Sequence, residues 1–224
     1  KMRGLGESTA QRMEVDLTHQ FTFGLQGSSY TNVDGETVNT QTSDAVAIFS
    51  NSHTITGAAT LNDNLAGTTA FGRAGLEEAE RLFRNMVNMN DEKINPKPNT
   101  IVTSDDPEMA NAVREFLGSE KGPDHAEGAI NPYKGKYQHI ELQYLATDAD
   151  SSPSSTGRFY WMLMDLMHKT SVAEFAEFPT FVSPTPNGNG EDFDTDDWNF
   201  KSSAMYAYGI LTPTWLVGSA ATAV

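Results

Sequence analysis

The sequence has no cysteine in 224 residues. That excludes a disulfide framework, a thiolate nucleophile and a zinc–thiolate site. The absence fits a reducing cytosol and equally a cysteine-free secreted bacterial protein. Basic residues are scarce as well: 15 Lys and Arg stand against 30 Asp and Glu, for a net charge of −15. They form no run, and a surface of this sign favours solubility and repels nucleic acid and anionic membranes. Long apolar stretches are missing. The most apolar run, 159–167, is interrupted by Asp165 and falls well short of the roughly 18 residues a membrane span needs. Residues 1–24 carry scattered charges and lack the apolar segment of a secretory signal peptide. There are no internal repeats and no low-complexity tract. Met2 follows Lys1, an order expected where a chain has been cut from a longer one or keeps part of a tag.

Signatures of chemistry are absent too. His19, His53, His125, His139 and His168 show neither HxH nor HExxH spacing, so zinc-hydrolase patterns are missing. No GxSxG elbow, GxxxxGK[ST] or GxGxxG is present, and Asn187-Gly188-Asn189-Gly190 reads as a flexible turn. Two carboxylate groupings remain. Glu191, Asp192, Asp194, Asp196 and Asp197 offer oxygen ligands of the kind calcium takes, but without the spacing of an EF-hand loop. Asp148, Asp150 and Ser152 form a second, weaker group. Each reads first as a solvated acidic loop. A third candidate is aromatic: Phe159, Tyr160, Trp161, Trp198, Tyr206, Tyr208 and Trp215 could line a carbohydrate groove or fill a core. Strand alternation sends about half of these rings to each sheet face, which favours core and intersubunit packing. No catalytic, cofactor-binding or metal-ligating residue is assigned.

What is present is a globular pattern: 38% hydrophobic and 20% charged residues, enough for a core. Residues 7–23 read as a helix, with Met13, Leu17 and Phe21 on the inward stripe and Gly24 at its end. Residues 25–69, rich in Ser, Thr, Asn and Gly, form a long excursion held at the surface. Asp34-Gly35 marks a hairpin turn within it, and residues 45–49 read as a short buried strand. Residues 75–89 are the clearest helix, through Leu76, Ala79, Phe83 and Met86. A strand at 100–103 leads into a helix capped by Asp106, started by Pro107 and stopped at Gly118. Residues 137–145 alternate like a strand, 158–164 make an apolar strand, and the two read as a hairpin or as neighbours. The run 198–210 is a long strand, and 215–217 a final short one.

The order of these elements resembles the C-terminal two-thirds of the tailed-phage major capsid subunit, the Hong Kong ninety-seven fold, closest to the Mu-like prophage major head subunits. The stretches that carry the resemblance are 10–24, which looks like the end of the spine helix; Asp34-Gly35 followed by Ile48-Phe49-Ser50-Asn51-Ser52-His53; 76–87 with 99–108, like the helix, strand and helix opening the axial domain; and 161–165, 198–209 and 212–215, like the later axial strand, the strand returning through the peripheral domain and the closing strand. The resemblance implies an α+β fold of interleaved domains: a peripheral one at 1–65 and 180–209, and an axial one at 66–179 and 210–224. It also implies a structural role without catalysis, in an icosahedral virion shell that encloses DNA and assembles in the bacterial host cytoplasm. Expected partners are other copies of the chain in hexamers and pentamers, packaged DNA indirectly, and scaffold or decoration proteins, with no membrane. Two departures are visible. Lys201 stands where many family members have Arg, and the N-terminal arm and extended loop would precede residue 9, so they are expected to be absent and self-assembly to be weakened. The alternatives are an encapsulin-like compartment shell, a calcium- or carbohydrate-binding module, and a hydrolase with an unrecognised site.

Overall fold

The computed structural model describes residues 2–121, 130–182 and 201–224. It is a mixed α+β structure whose centre is a four-stranded sheet in the order β4-β3-β5-β8. Strand β3 (Thr100–Ser104) lies parallel to β4 (Gln138–Leu142) and antiparallel to β5 (Trp161–Met164), and β5 is antiparallel to β8 (Leu216–Ser219). The strands expected at 137–145 and 158–164 are therefore not neighbours, because β3 lies between them. The connection from β3 to β4 runs through a helix and yields a parallel pair, which no hairpin can make.

Side chains alternate across this sheet. Ile101, Trp161, Leu163 and Val217 enter one buried cluster; Val102, Met162, Met164 and Leu216 enter the other. Two helices cover the first face. Helix α2 (Arg73–Asn85) contributes Leu76, Ala79 and Phe83, and α3 (Pro107–Gly118) contributes Met109, Val113 and Phe116. Gly75 lets α2 come close: a Cβ there would lie 2.5 Å from the Ala70 carbonyl and 3.0 Å from the Trp161 ring. The start of α3 follows its sequence signals, since the Asp106 side chain accepts a hydrogen bond from the Glu108 amide at 3.0 Å. Helix α2 ends earlier than expected, and Val87 bridges to Lys93 in a small turn-back instead.

The second face is covered by the excursion. Residues 45–49 are not a strand. Gln41 and Ala47 form a lone bridge, and Ile48 and Phe49 plug the core with Leu25. Gly218 on β8 accommodates this plug, because a Cβ there would meet the Phe49 ring at 2.5 Å. The segment then runs along β8, where the Gly218 amide donates to the Asn64 carbonyl at 3.0 Å and the Ala66 amide donates to the Gly218 carbonyl at 2.8 Å. That pairing covers a sheet edge that would otherwise be open. Strands β1 (Ser29–Thr31) and β2 (Thr37–Asn39) form the expected hairpin, with Gly35 at φ 80°.

Helix α1 spans Met2–Gly24. Of the expected stripe, Phe21 packs against the second core cluster, but Leu17 is 50% exposed and most of the buried face is polar, with Thr18, His19, Gln20 and Thr22 buried beside Val15. The cause lies in what Thr18–Gly24 meets. Thr22 donates to the Leu145 carbonyl at 3.0 Å, and the His19 ring nitrogen sits 2.9 Å from the Thr147 hydroxyl. Strands β6 (Ser171–Val182) and β7 (Lys201–Ile210) make a two-stranded ribbon. The expected strand from 198 begins at Lys201 among the described residues, and 198–200 lie outside them.

By packing, Lys1–Leu17 with Val172–Tyr208 form one compact unit, and Thr18–Ser171 with Gly209–Val224 form another. Residues 18–65, expected with the peripheral part, here belong to the same unit as the sheet, since Leu25, Ile48 and Phe49 cover its second face. Among the described residues no helix is long and apolar enough to cross a membrane.

Candidate functional site

The carboxyl end of the parallel pair β3–β4 is where an α/β sheet most often presents chemistry, and it gathers several polar side chains here. Pairing places Thr103 opposite Glu141. The Thr103 hydroxyl lies 2.8 Å from His139 Nε2, and His139 Nδ1 is 3.6 Å from the Glu141 carboxylate. The order hydroxyl, imidazole, carboxylate is that of a nucleophile, base and orienting acid. The hydrogen bonds run the other way. Thr103 donates its proton to the Ser104 carbonyl at 3.0 Å, so its oxygen accepts from His139 Nε2–H. Thr103 is fully buried. Burial lowers the His139 pKa below the ordinary value; the Glu141 charge opposes this and Arg114 adds to it. The arrangement ties β3 to β4 and presents no nucleophile.

Charged groups surround this end. Arg158 donates to Asp106 at 2.6 Å and to Glu108 at 2.9 Å, and Arg114 donates to Glu141 at 2.6 Å. The Asp106 carboxyl is held below its usual range, first by the Arg158 hydrogen bond, against a desolvation cost. Burial raises Asp105, and the neighbouring Asp106 and Glu141 charges raise it further. A second cluster lies beside α2, where Lys136 sits over the Tyr133 and Tyr137 rings at 5.0 and 5.1 Å and Tyr137 donates to Glu80. Burial, then the Glu80 and Glu77 charges, push the Tyr133 hydroxyl up to about 12.

The candidates read from sequence are dispersed. His19 is buried against Phe23 and Tyr30. His53 is buried against Asp44 at 2.9 Å, and His168 is exposed with Nδ1 2.8 Å from Asp165. His125 and the group Glu191, Asp192, Asp194, Asp196 and Asp197 lie outside the described residues, as does Trp198. Asp148, Asp150 and Ser152 form a turn in which Ser152 donates to Asp150 from both its amide and its hydroxyl. Among the described residues no group of three or more His, Asp or Glu is placed to hold a metal ion.

Among the described residues the aromatic candidates are spread over different faces and elements. Trp161 faces the helices and donates its indole proton to the Thr69 carbonyl at 3.0 Å; Tyr160 and Trp215 are buried on the opposite face. Phe159, expected in the sheet interior, is half-buried beside Arg158 at 4.9 Å, because β5 starts only at Trp161. Tyr206 and Tyr208 stack on each other along β7. Open depressions of about 380 and 360 Å³ lie beside Phe71 and Phe116 and beside Arg12 and Tyr206. Neither adjoins the Thr103–His139 pair. The sequence held one signal for that pair, since His139 and Glu141 share a strand face, but the crossover that sets Thr103 beside them is not visible in it.

No model of a known protein family matches the chain. No curated protein matches it either. Among solved structures, a chain from Gordonia phage Cozz is similar at a TM-score of 0.41 and 13% identity, over 80% of this chain and 57% of that one. The chain thus spans a little over half the length of that neighbour. A likeness this loose fixes neither fold nor function.

Proposed function

We propose that the chain is a structural subunit of an icosahedral phage or prophage head, assembling with copies of itself around DNA and carrying out no reaction. The observation that carries this reading is the interleaving of two units along the chain. The start of α1 and strand β7 belong to one unit, while the sheet with α2 and α3 belongs to the other. Within the first unit, Tyr206 donates to Asp16 at 2.6 Å and the Thr9 and Ser202 hydroxyls meet at 2.9 Å, so helix and returning strand are held side chain to side chain. The resemblance to the major capsid subunit likewise implies two interleaved units, though it would put residues 18–65 with the first.

Electron microscopy and light scattering of the purified protein, across protein concentration and salt, test it. With self-assembly expected to be weakened, the chain should be monomeric or weakly oligomeric when dilute and associate into larger assemblies only as concentration and salt rise. A strict monomer under every condition overturns the proposal. Shells that retain a co-expressed enzyme and exclude DNA would favour a compartment instead.

A further inference from the structure

Residues 86–94 turn back on themselves just after α2. The Ile94 amide donates to the Met86 carbonyl at 3.1 Å, the Asn88 amide donates to the Glu92 carbonyl at 2.9 Å, and Asp91 sits in the turn at φ 59°. Residues 57–62 are bonded to this turn. Asp91 accepts from the Ala59 and Thr60 amides at 3.1 and 2.9 Å, and the buried Asn62 side chain bonds both backbone groups of Val87. Gly57, at φ 97°, lets the segments close, since a Cβ there would lie 3.2 Å from the Met89 carbonyl oxygen. This tied framework leaves three large apolar side chains in solvent: Leu61 is 53% exposed, Met89 61% and Ile94 39%. Arg84, Lys93 and Lys97 are exposed on the same stretch and make no ion pair among the described residues. The nearby carboxylates are occupied locally, Asp91 by its two amides and Glu92 by the Asn88 side chain at 3.1 Å. A lone exposed apolar residue means little, but three on one tied framework beside unpaired cations form a patch.

At the other end of α2, in the same compact unit, lies the open depression of about 380 Å³ beside Phe71 and Phe116. The two rings meet edge to face at 5.6 Å, and Ala70, Ala112 and Val224 extend the apolar lining. Glu115 is the charged residue of the wall; it is exposed and makes no ion pair among the described residues. Arg73, at this end of α2, is already paired with Glu77 at 2.7 Å. Helix α2 has 13 residues, so roughly 20 Å of helix separates the depression from the turn that begins at Met86. One molecule therefore cannot seat its own turn in its own depression.

We propose that the 86–94 turn of one copy, led by Met89 and Ile94, docks in the Phe71–Phe116 depression of a second copy, with Lys93 meeting Glu115. This rests on the reading of the chain as a self-assembling subunit and names the surfaces through which copies meet. The two patches match in kind. Apolar side chains enter an apolar hollow, and the flexible thioether of Met89 adapts to its shape. An unpaired cation faces an unpaired carboxylate, in a chain whose net charge of −15 otherwise holds copies apart. A contact between two different patches is head-to-tail. Each added copy carries one patch still free, so the contacts propagate until they close into a ring.

The absence of cysteine makes the test direct. Met89→Cys and Ala112→Cys are prepared as separate proteins and mixed under mild oxidation, at a concentration where the unaltered chain associates. The mixture should yield a disulfide dimer containing one of each. Neither protein alone should cross-link, because like patches do not meet in a head-to-tail contact. Val33→Cys, exposed outside both patches, is the control and should cross-link with neither. Sedimentation equilibrium gives a second readout. Met89→Asp should weaken association by at least about fivefold and Glu115→Lys by roughly threefold; adding Lys93→Glu to Glu115→Lys should restore most of that loss. Absence of the mixed dimer, or association unchanged in Met89→Asp, overturns this inference and leaves the subunit reading standing. Cross-linking of Met89→Cys to itself overturns it too, since that marks a two-fold contact. An unaltered chain that stays monomeric at every concentration overturns the subunit reading, and this inference with it.

Discussion

Replacing Gly218 by Ala tests the plug on the second sheet face. The new Cβ would lie 2.5 Å from Phe49 Cε1, 2.6 Å from Phe49 Cδ1 and 2.9 Å from Leu25 Cδ2. No real Cβ tolerates such contacts, so the ring must move. Phe49 is buried and shares its cluster with Ile48 and Met162, which leaves it little room. Overpacking of this kind costs about 1–3 kcal/mol, and for a chain this long each kcal/mol lowers the melting temperature by roughly 2–4 °C. Gly209→Ala is the control, since nothing lies within 4 Å of a Cβ there. Urea unfolding followed by tryptophan fluorescence gives both values. Phe49→Leu should lower stability alone yet relieve Gly218→Ala, with a coupling of about 0.5–3 kcal/mol between the two. A neutral Gly218→Ala, or strict additivity in the double variant, would refute the claim that the excursion is seated on β8.

Three further outcomes are expected. Asp106→Ala removes the cap of α3 and should cost about 1 kcal/mol by urea unfolding. Because Arg158 holds the Asp106 pKa below its unfolded value, this contribution is present above about pH 4 and is lost as the pH falls through the lower folded value. Ala45→Gly relieves the left-handed turn at that residue, where φ is 62°, and should raise stability by about 0.5–1 kcal/mol; a loss would show that the turn is unstrained. His139 has a folded pKa held down by burial, so the unfolded ring takes up its proton first and stability should drop as the pH falls below about 6.5. His139→Gln should flatten that part of the profile, and an unchanged slope in the urea midpoint would count against the assignment.

Much of the sheet was legible because its signals are local. Asp106, Pro107 and Gly118 bound α3 through backbone chemistry that needs no partner. The same holds for Asp34-Gly35 in the β1–β2 hairpin. Alternation in β5 sends Trp161 and Leu163 one way and Met162 and Met164 the other. What failed depends on distant partners. The face of α1 toward Leu145 and Thr147 is polar because it satisfies a carbonyl and a hydroxyl there, and a polar stripe reads as solvent-facing when its partners lie more than a hundred residues away. Residues 45–49 have a strand's composition, but one edge of β8 is taken by β5 and the other by 64–66, so the run packs on the sheet's face as a plug. Strand β6 carries Pro179, which argues against a strand in any reading by pattern.

No candidate site was legible in the sequence beyond the shared strand face of His139 and Glu141. A reactive side chain needs an atom left unsatisfied beside space for a substrate. Several of the described polar residues instead tie segments together. Asp165, fully buried, accepts from the Lys97 and Met167 amides and lies within hydrogen-bond distance of the His168 ring. Asn62 donates to the Val87 carbonyl and accepts from its amide. Asp91 accepts from the Ala59 and Thr60 amides. Each of these contacts joins stretches of chain without regular structure to a neighbour, which is how a protein with a small sheet and long excursions keeps those excursions in one shape. A subunit that works through its outer surface needs that property, because contacts with its neighbours repeat only if the loops that make them do. His53 and Asp44, 2.9 Å apart, make a further tie of this kind between the excursion's turns.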